Sequence, residues 1–365
     1  MALASVNSAE RRPRRRAPVP APVNPFLALL PSVKREIDGR LERFFADQLE
    51  RVAPFGSEVT ALLDALARFT LHGGKRLRPA LLAVGFRVVE PRASLKNAFD
   101  AGLALELLHS YLLVHDDWMD QDDLRRGAPT VHASLARHFK DKHKGHSSAI
   151  LAGDFAAGLA TSALARVAMP NESTSAVLEC FARMQVDAIL GQELDVAGVD
   201  HDPEVAYALK TGSYTVRGPL HLGALLAGAS PATLRALERY ATPVGIAFQL
   251  ADDLLSAFGE SSLTGKRLGN DLRAGKRTPL LLLGLARAKG ADLRTLKAVI
   301  GNAGATDVAV RRALLVLEAT GARAAIEARI GELVAKGLDG LGTGIQGVGR
   351  ELLTGAASAL SSRTR

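Results

Sequence analysis

From Phe26 onward apolar side chains recur every three or four residues, the spacing of helices that each bury one face. The pattern predicts helices at Ser32–Val52, Ser57–Leu71, Leu77–Val89, Leu95–Met119, Ser147–Ala168, Ser173–Val196 and Pro231–Phe258. Loops are expected at Gly127–Pro129, Asp141–Gly145, Gly198–Pro203 and Gly259–Gly275, where glycine, proline and polar residues interrupt the periodicity. Neither a fixed-period repeat nor a linker divides the chain, so residues 26–362 read as one all-α domain, a bundle of ten or more helices. The glycine-richer last 65 residues carry no evident chemistry and are expected to pack.

Composition supports the helical reading: about a third of the 365 residues are Ala or Leu, and only 5% are aromatic. No uninterrupted apolar run reaches the ~18 residues of a membrane span, and even Leu103–Val114 holds Glu106 and His109. A transmembrane segment is therefore not expected. The lone cysteine, Cys180, excludes an internal disulfide and suits a reducing, cytoplasmic setting. The formal charge of +8 is mostly in the tails: residues 1–25 contribute +4 and the C-terminal arginines +2, which leaves +2 for the body. That balance argues against a nucleic-acid partner. Residues 1–25, rich in Arg and Pro and without an apolar segment after the arginines, read as a disordered basic tail and not as a secretory signal.

The chemistry begins where the Leu103–Val114 helix ends. On a helix Asp116 and Asp120 lie one turn apart with Asp117 beside them, at an end that already carries negative partial charge. Such a cluster calls for cations, and hard carboxylate oxygens suit Mg²⁺, which takes its remaining ligands from water and phosphate. Arg125 and Arg126 follow, with guanidinium forks that match phosphate oxygens. A second pair, Asp252 and Asp253, lies deep in an apolar helix, where two carboxylates are costly unless neutralised. Basic groups also gather at Lys75, Arg76 and Arg78, and at Lys266, Lys276 and Arg277. Neither Gly-Lys pair is followed by Ser or Thr, so no Walker-type loop is present. The arrangement suits a molecule with a diphosphate head and a greasy tail. The His138–His146 stretch reads as a polar loop, since its histidines share no helical face.

Six stretches, GGKRLRP (73–79), HDDWMDQDDLRRGAPTVH (115–132), GQELD (191–195), KTGSYT (210–215), FQLADDLLSAFG (248–259) and GKRLGNDLRAGKRT (265–278), resemble in order the trans-isoprenyl diphosphate synthases. The resemblance implies a helical bundle around a deep cavity, usually as a homodimer. It also implies condensation of isopentenyl diphosphate with an allylic diphosphate, assisted by three Mg²⁺ ions. Asp116, Asp117 and Asp120 match the family's first metal motif; Asp252 and Asp253 match its second. Arg125, Lys210 and Lys266 resemble its grip on the allylic diphosphate, and Lys75, Arg78, His109 and Arg126 its pocket for isopentenyl diphosphate. Thr211 and Gln249 match positions beside the developing cation, while Gln192 and Asp195 match residues that support them.

One departure is Ser256, where the family's second motif usually has a third aspartate. Tyr111, five residues before Asp116, and Leu112 would form the floor of the product cavity, with Leu108 and Leu105 deeper. A ring at that floor favours geranylgeranyl diphosphate (C20), with farnesyl diphosphate (C15) as the alternative. A terpene cyclase is disfavoured because Asn270-Asp271 is followed by Ala274 where its metal motif needs serine. A non-catalytic regulatory subunit finds support only in Ser256.

Overall fold

The computed structural model describes residues 24–169, 171–197, 202–259 and 268–362. The basic tail, apart from Asn24 and Pro25, and Lys266 lie outside the described residues. The first helix, α1 (Pro25–Val52), starts earlier than its apolar stripe because Asn24 caps it, accepting from the amides of Phe26 and Leu27 at 3.0 and 3.1 Å. The Asn24 amide also donates to the Gly355 carbonyl at 3.0 Å, which ties the two ends of the described chain together. There follow α2 (Ser57–Leu71), α3 (Leu77–Val89) and α4 (Lys96–Met119), all close to expectation.

The expected Asp141–Gly145 loop shrinks to a two-residue break between α5 (Val131–Phe139) and α6 (Lys142–Ala165). Lys140 adopts φ +53° there, and Asp141 caps α6 by accepting from the Lys144 amide at 3.0 Å. His143 and His146 therefore sit on a helix and not in a loop. By length and composition alone α6 is long and apolar enough to span a membrane, but it packs along α4 and α5.

Beyond α7 (Asn171–Ala197) and the short α8 (Pro203–Tyr207), residues Ala208–Arg217 form a π-helix, which runs into α9 (Gly218–Leu226). The 28-residue α10 (Pro231–Phe258) is followed by α11 (Asn270–Ala274), α12 (Pro279–Arg287), α13 (Gly290–Val299), α14 (Asp307–Ala319), α15 (Ala322–Gly340) and α16 (Gly347–Ser361). The only strands among the described residues are β1 (Leu124–Arg125) and β2 (Ala128–Pro129), an antiparallel pair.

Two apolar cores form. One gathers α1–α7, α9, the first half of α10 and α16, and the other gathers the second half of α10 with α11–α15. α10 is the shared strut, and Val334 of α15 packs against both cores. Burying α10 in this way fixes where its acidic pair points.

Candidate active site

The end of α4 is built to stop sharply. The Asp122 amide donates to the Asp117 carbonyl at 2.9 Å and the Gln121 amide to the Trp118 carbonyl at 3.3 Å, with Gln121 at φ +56°. This is a Schellman end with glutamine in the left-handed position that usually goes to glycine. The chain then doubles back through β1 and β2, whose two-residue tip, Arg126-Gly127, has both residues at positive φ. Such a tip matches the natural twist of a hairpin.

The hairpin returns Arg125 to the aspartates. Its Nε donates to Asp117 Oδ1 at 2.6 Å and its Nη2 to Asp116 Oδ2 at 3.4 Å. Asp117 is fully buried, and its second oxygen has no hydrogen-bond partner among the described residues. Burial pushes its carboxyl up to about 6, although Arg125 opposes the shift. Burial would raise Asp116 too, but Lys210 and Arg125 outweigh it and hold that carboxyl below its ordinary value.

Lys210 lies 3.2 Å from Asp116 and 3.0 Å from Asp195. Its place on the π-helix depends on two close approaches. A Cβ on Gly191 of α7 would lie 2.6 Å from the Lys210 nitrogen, and one on Gly245 of α10 would lie 2.7 Å from the Gly212 Cα. The second contact sets Thr211 beside Gln249, one turn after Gly245: the threonine hydroxyl donates to the Gln249 carbonyl at 2.6 Å. The Gln249 amide in turn donates to Asp253 Oδ1 at 2.9 Å, and Tyr207 donates to Asp253 Oδ2. Burial pushes the Asp253 carboxyl up to about 7 against both hydrogen bonds. Burial and then Asp253 raise the Tyr207 phenol well above its usual value, so it remains a donor. Asp252, the half-buried member of the pair, lies beside it.

Lys276, just after α11, reaches the first acidic motif. It sits 3.2 Å from Asp120; burial would lower its ammonium, but Asp120 and Asp271 raise it. Sequence alone places Lys276 in a basic loop without assigning it a role.

A second basic group lies behind Arg125. Arg78 stacks over Tyr214 at 4.5 Å and donates to the Thr215 hydroxyl at 2.7 Å, while its buried Nε has no partner. His109 is 6.0 Å from the same ring with a bare, buried Nδ1. Burial, then Arg78 and Arg126, pull this imidazole well below its ordinary value, so it is neutral. Arg126 rests on the Gly73-Gly74 turn and donates to the His72 carbonyl at 3.3 Å. Among the described residues neither Arg78 nor Arg126 has a carboxylate partner. Lys75 is exposed next to them.

Arg76 departs from the expected basic trio. At φ +50° it turns inward and bonds Glu106 at 2.6 Å, Asp38 at 2.8 Å and the Thr70 carbonyl at 3.1 Å. Tyr111 and Leu112 are half-buried on α4 against the first core, with the Tyr111 ring edge-on to His115 at 5.1 Å.

The donors fit Mg²⁺. They are hard oxygens, one of them bare and buried, and the cations now on them are in reach of phosphate. Among the described residues no three Asp, Glu, His or Cys side chains close on one point, so water and phosphate oxygens would have to complete a coordination sphere.

An all-helical bundle in which Lys210 and Lys276 rest on the aspartates of α4, while Arg78 and Arg126 have no carboxylate partner, suits a transferase that handles diphosphate groups. The chain belongs to the polyprenyl synthetase family, which it matches over residues 59–317. It is 31% identical to the short chain isoprenyl diphosphate synthase of Methanocaldococcus jannaschii over 70% of this chain and 76% of that protein. It is 38% identical to the farnesyl diphosphate synthase of Escherichia coli, over 66% of this chain and 82% of that one. The crystal structure of geranylgeranyl pyrophosphate synthase from Corynebacterium glutamicum, complexed with isoprenyl diphosphate and magnesium, superposes with a TM-score of 0.85 at 34% identity. It covers 92% of this chain and 99% of that one.

Proposed function

We propose that the protein is a short-chain trans-prenyltransferase that condenses isopentenyl diphosphate with allylic diphosphates, with geranylgeranyl diphosphate as its main product. The observation that carries this reading is the pairing of Arg125, Lys210 and Lys276 with the aspartates at the end of α4, beside a separate basic group that has no carboxylate partner. Asp116, Asp117, Asp120, Asp252 and Asp253 would hold Mg²⁺, three ions by family resemblance. When bound, the metal supplies Lewis-acid stabilisation of the departing diphosphate.

The chain's own groups do the rest. Arg125, Lys210 and Lys276 exchange carboxylates for the allylic diphosphate, with Lys266 as a further candidate outside the described residues. Lys75, Arg78, Arg126 and neutral His109 receive the second diphosphate. The Thr211 and Gln249 dipoles face the carbon that becomes cationic, and the proton lost afterwards passes to the released diphosphate. Cys180 takes no part: burial pushes its thiol up to about 12.

Incubation with Mg²⁺, isopentenyl diphosphate and each allylic diphosphate, followed by sizing of the dephosphorylated products, tests the reading. A C20 product is expected, and Tyr111→Ala is expected to lengthen it. No condensation from any starter would support the regulatory-subunit alternative, and an unchanged product after Tyr111→Ala would remove that ring from the floor.

We also read residues 26–362 as a single domain, supported by the two cores sharing α10, and the protein as a cytoplasmic homodimer. Outward faces of α6 and α7 leave Leu151 59% and Ile189 50% exposed, together with Phe155, Val186 and Leu190, apolar surface that a second copy would cover. Sedimentation should show a dimer that Leu151→Arg/Ile189→Arg converts to monomer; an unchanged dimer would place the interface elsewhere.

A further inference from the structure

We propose that Tyr207 is a positioning residue for the transfer step, acting through Asp253 and Gln249 on Thr211. The inference rests on the prenyl-transfer reading. Tyr207 is the last residue of α8, and its ring packs against the second core while its hydroxyl reaches Asp253 on α10. Asp253 thereby accepts on both oxygens, from the phenol on Oδ2 and from the Gln249 amide on Oδ1. That second bond fixes which end of the Gln249 amide faces Asp253. The carbonyl end is left to accept from Thr211.

The chain of donors therefore runs one way, Thr211 to Gln249 to Asp253, and Tyr207 closes it from the far side. Without the phenol, a buried carboxylate loses one of its two donors. It can then recover a partner only by turning or by taking in water, and either change releases the Gln249 amide. The Tyr207 hydroxyl is spent on Asp253 and its ring on the second core, so its effect should appear in turnover and not in binding. Each carboxylate oxygen keeps a second lone pair, so the arrangement is compatible with a metal on Asp253.

The test is Tyr207→Phe in the full chain, which keeps the ring and removes only the hydroxyl. We expect kcat to fall about tenfold, with KM for both diphosphates within about twofold of the parent protein. In Gln249→Leu the same hydroxyl should no longer matter, so the double variant should turn over no more slowly than Gln249→Leu alone. Unchanged kcat in Tyr207→Phe, or losses that multiply in the double variant, would overturn the proposal. A parallel double-mutant cycle on urea unfolding needs no substrate: coupled effects support the link and additive ones refute it. Failure of the parent chain to condense any substrate would count against the prenyl-transfer reading, while that cycle still reads the link itself.

Discussion

Asp252→Ala is expected to lower kcat by about three orders of magnitude, whereas Ser256→Ala loses less than about tenfold. The difference follows from what each side chain can offer a cation. Asp252 is the half-buried acid of the second motif, and its neighbour Asp253 already has both oxygens engaged by Tyr207 and Gln249. Removing Asp252 deletes a full negative charge from the second acidic segment. A serine one turn further on offers only a neutral hydroxyl, able to bond metal-bound water. Turnover measured against Mg²⁺ concentration checks the division: Ser256→Ala should keep the parent's metal dependence, and equal losses would make the two positions equivalent.

The largest effect on stability is expected at Arg76. Arg76→Met should cost about 3–5 kcal/mol, because Glu106 and Asp38 lose the guanidinium that compensates them inside the protein. Glu106 is itself buried, so it would be left as an uncompensated charge or forced to take up a proton. Urea unfolding would measure the loss, and Glu106→Gln in the same chain should recover part of it. Lys75→Met, one residue earlier on an exposed side chain, should leave the unfolding midpoint in place. An Arg76→Met protein as stable as the parent would show that the buried pair contributes nothing net.

That contrast shows what could be read from the sequence. The aspartates were legible because their spacing on a helix is itself the chemical signal, and the long helices were legible because their apolar stripes repeat. Charge alone, however, does not say which way a side chain turns. Arg76 reads like Lys75 and Arg78, and only its left-handed backbone sends it into the core. The π-helix at Ala208–Arg217 left no periodic trace, since its position depends on Gly212 meeting Gly245 of another helix. Tyr207 was missed for the same reason: its partner Asp253 is 46 residues away. Lys276 could have been found by asking what neutralises Asp120.

The lysines and arginine that rest on the aspartates also determine what the cleft admits. With Arg125 on Asp117, Lys210 on Asp116 and Lys276 on Asp120, the mouth is an ion exchanger in its loaded form. A free metal ion arriving alone must strip cations from their acids and leave them uncompensated. A bare diphosphate must do the reverse. On the prenyl-transfer reading, a diphosphate that arrives with its metal would satisfy both sides at once, the acids through the metal and the bases through the phosphate oxygens.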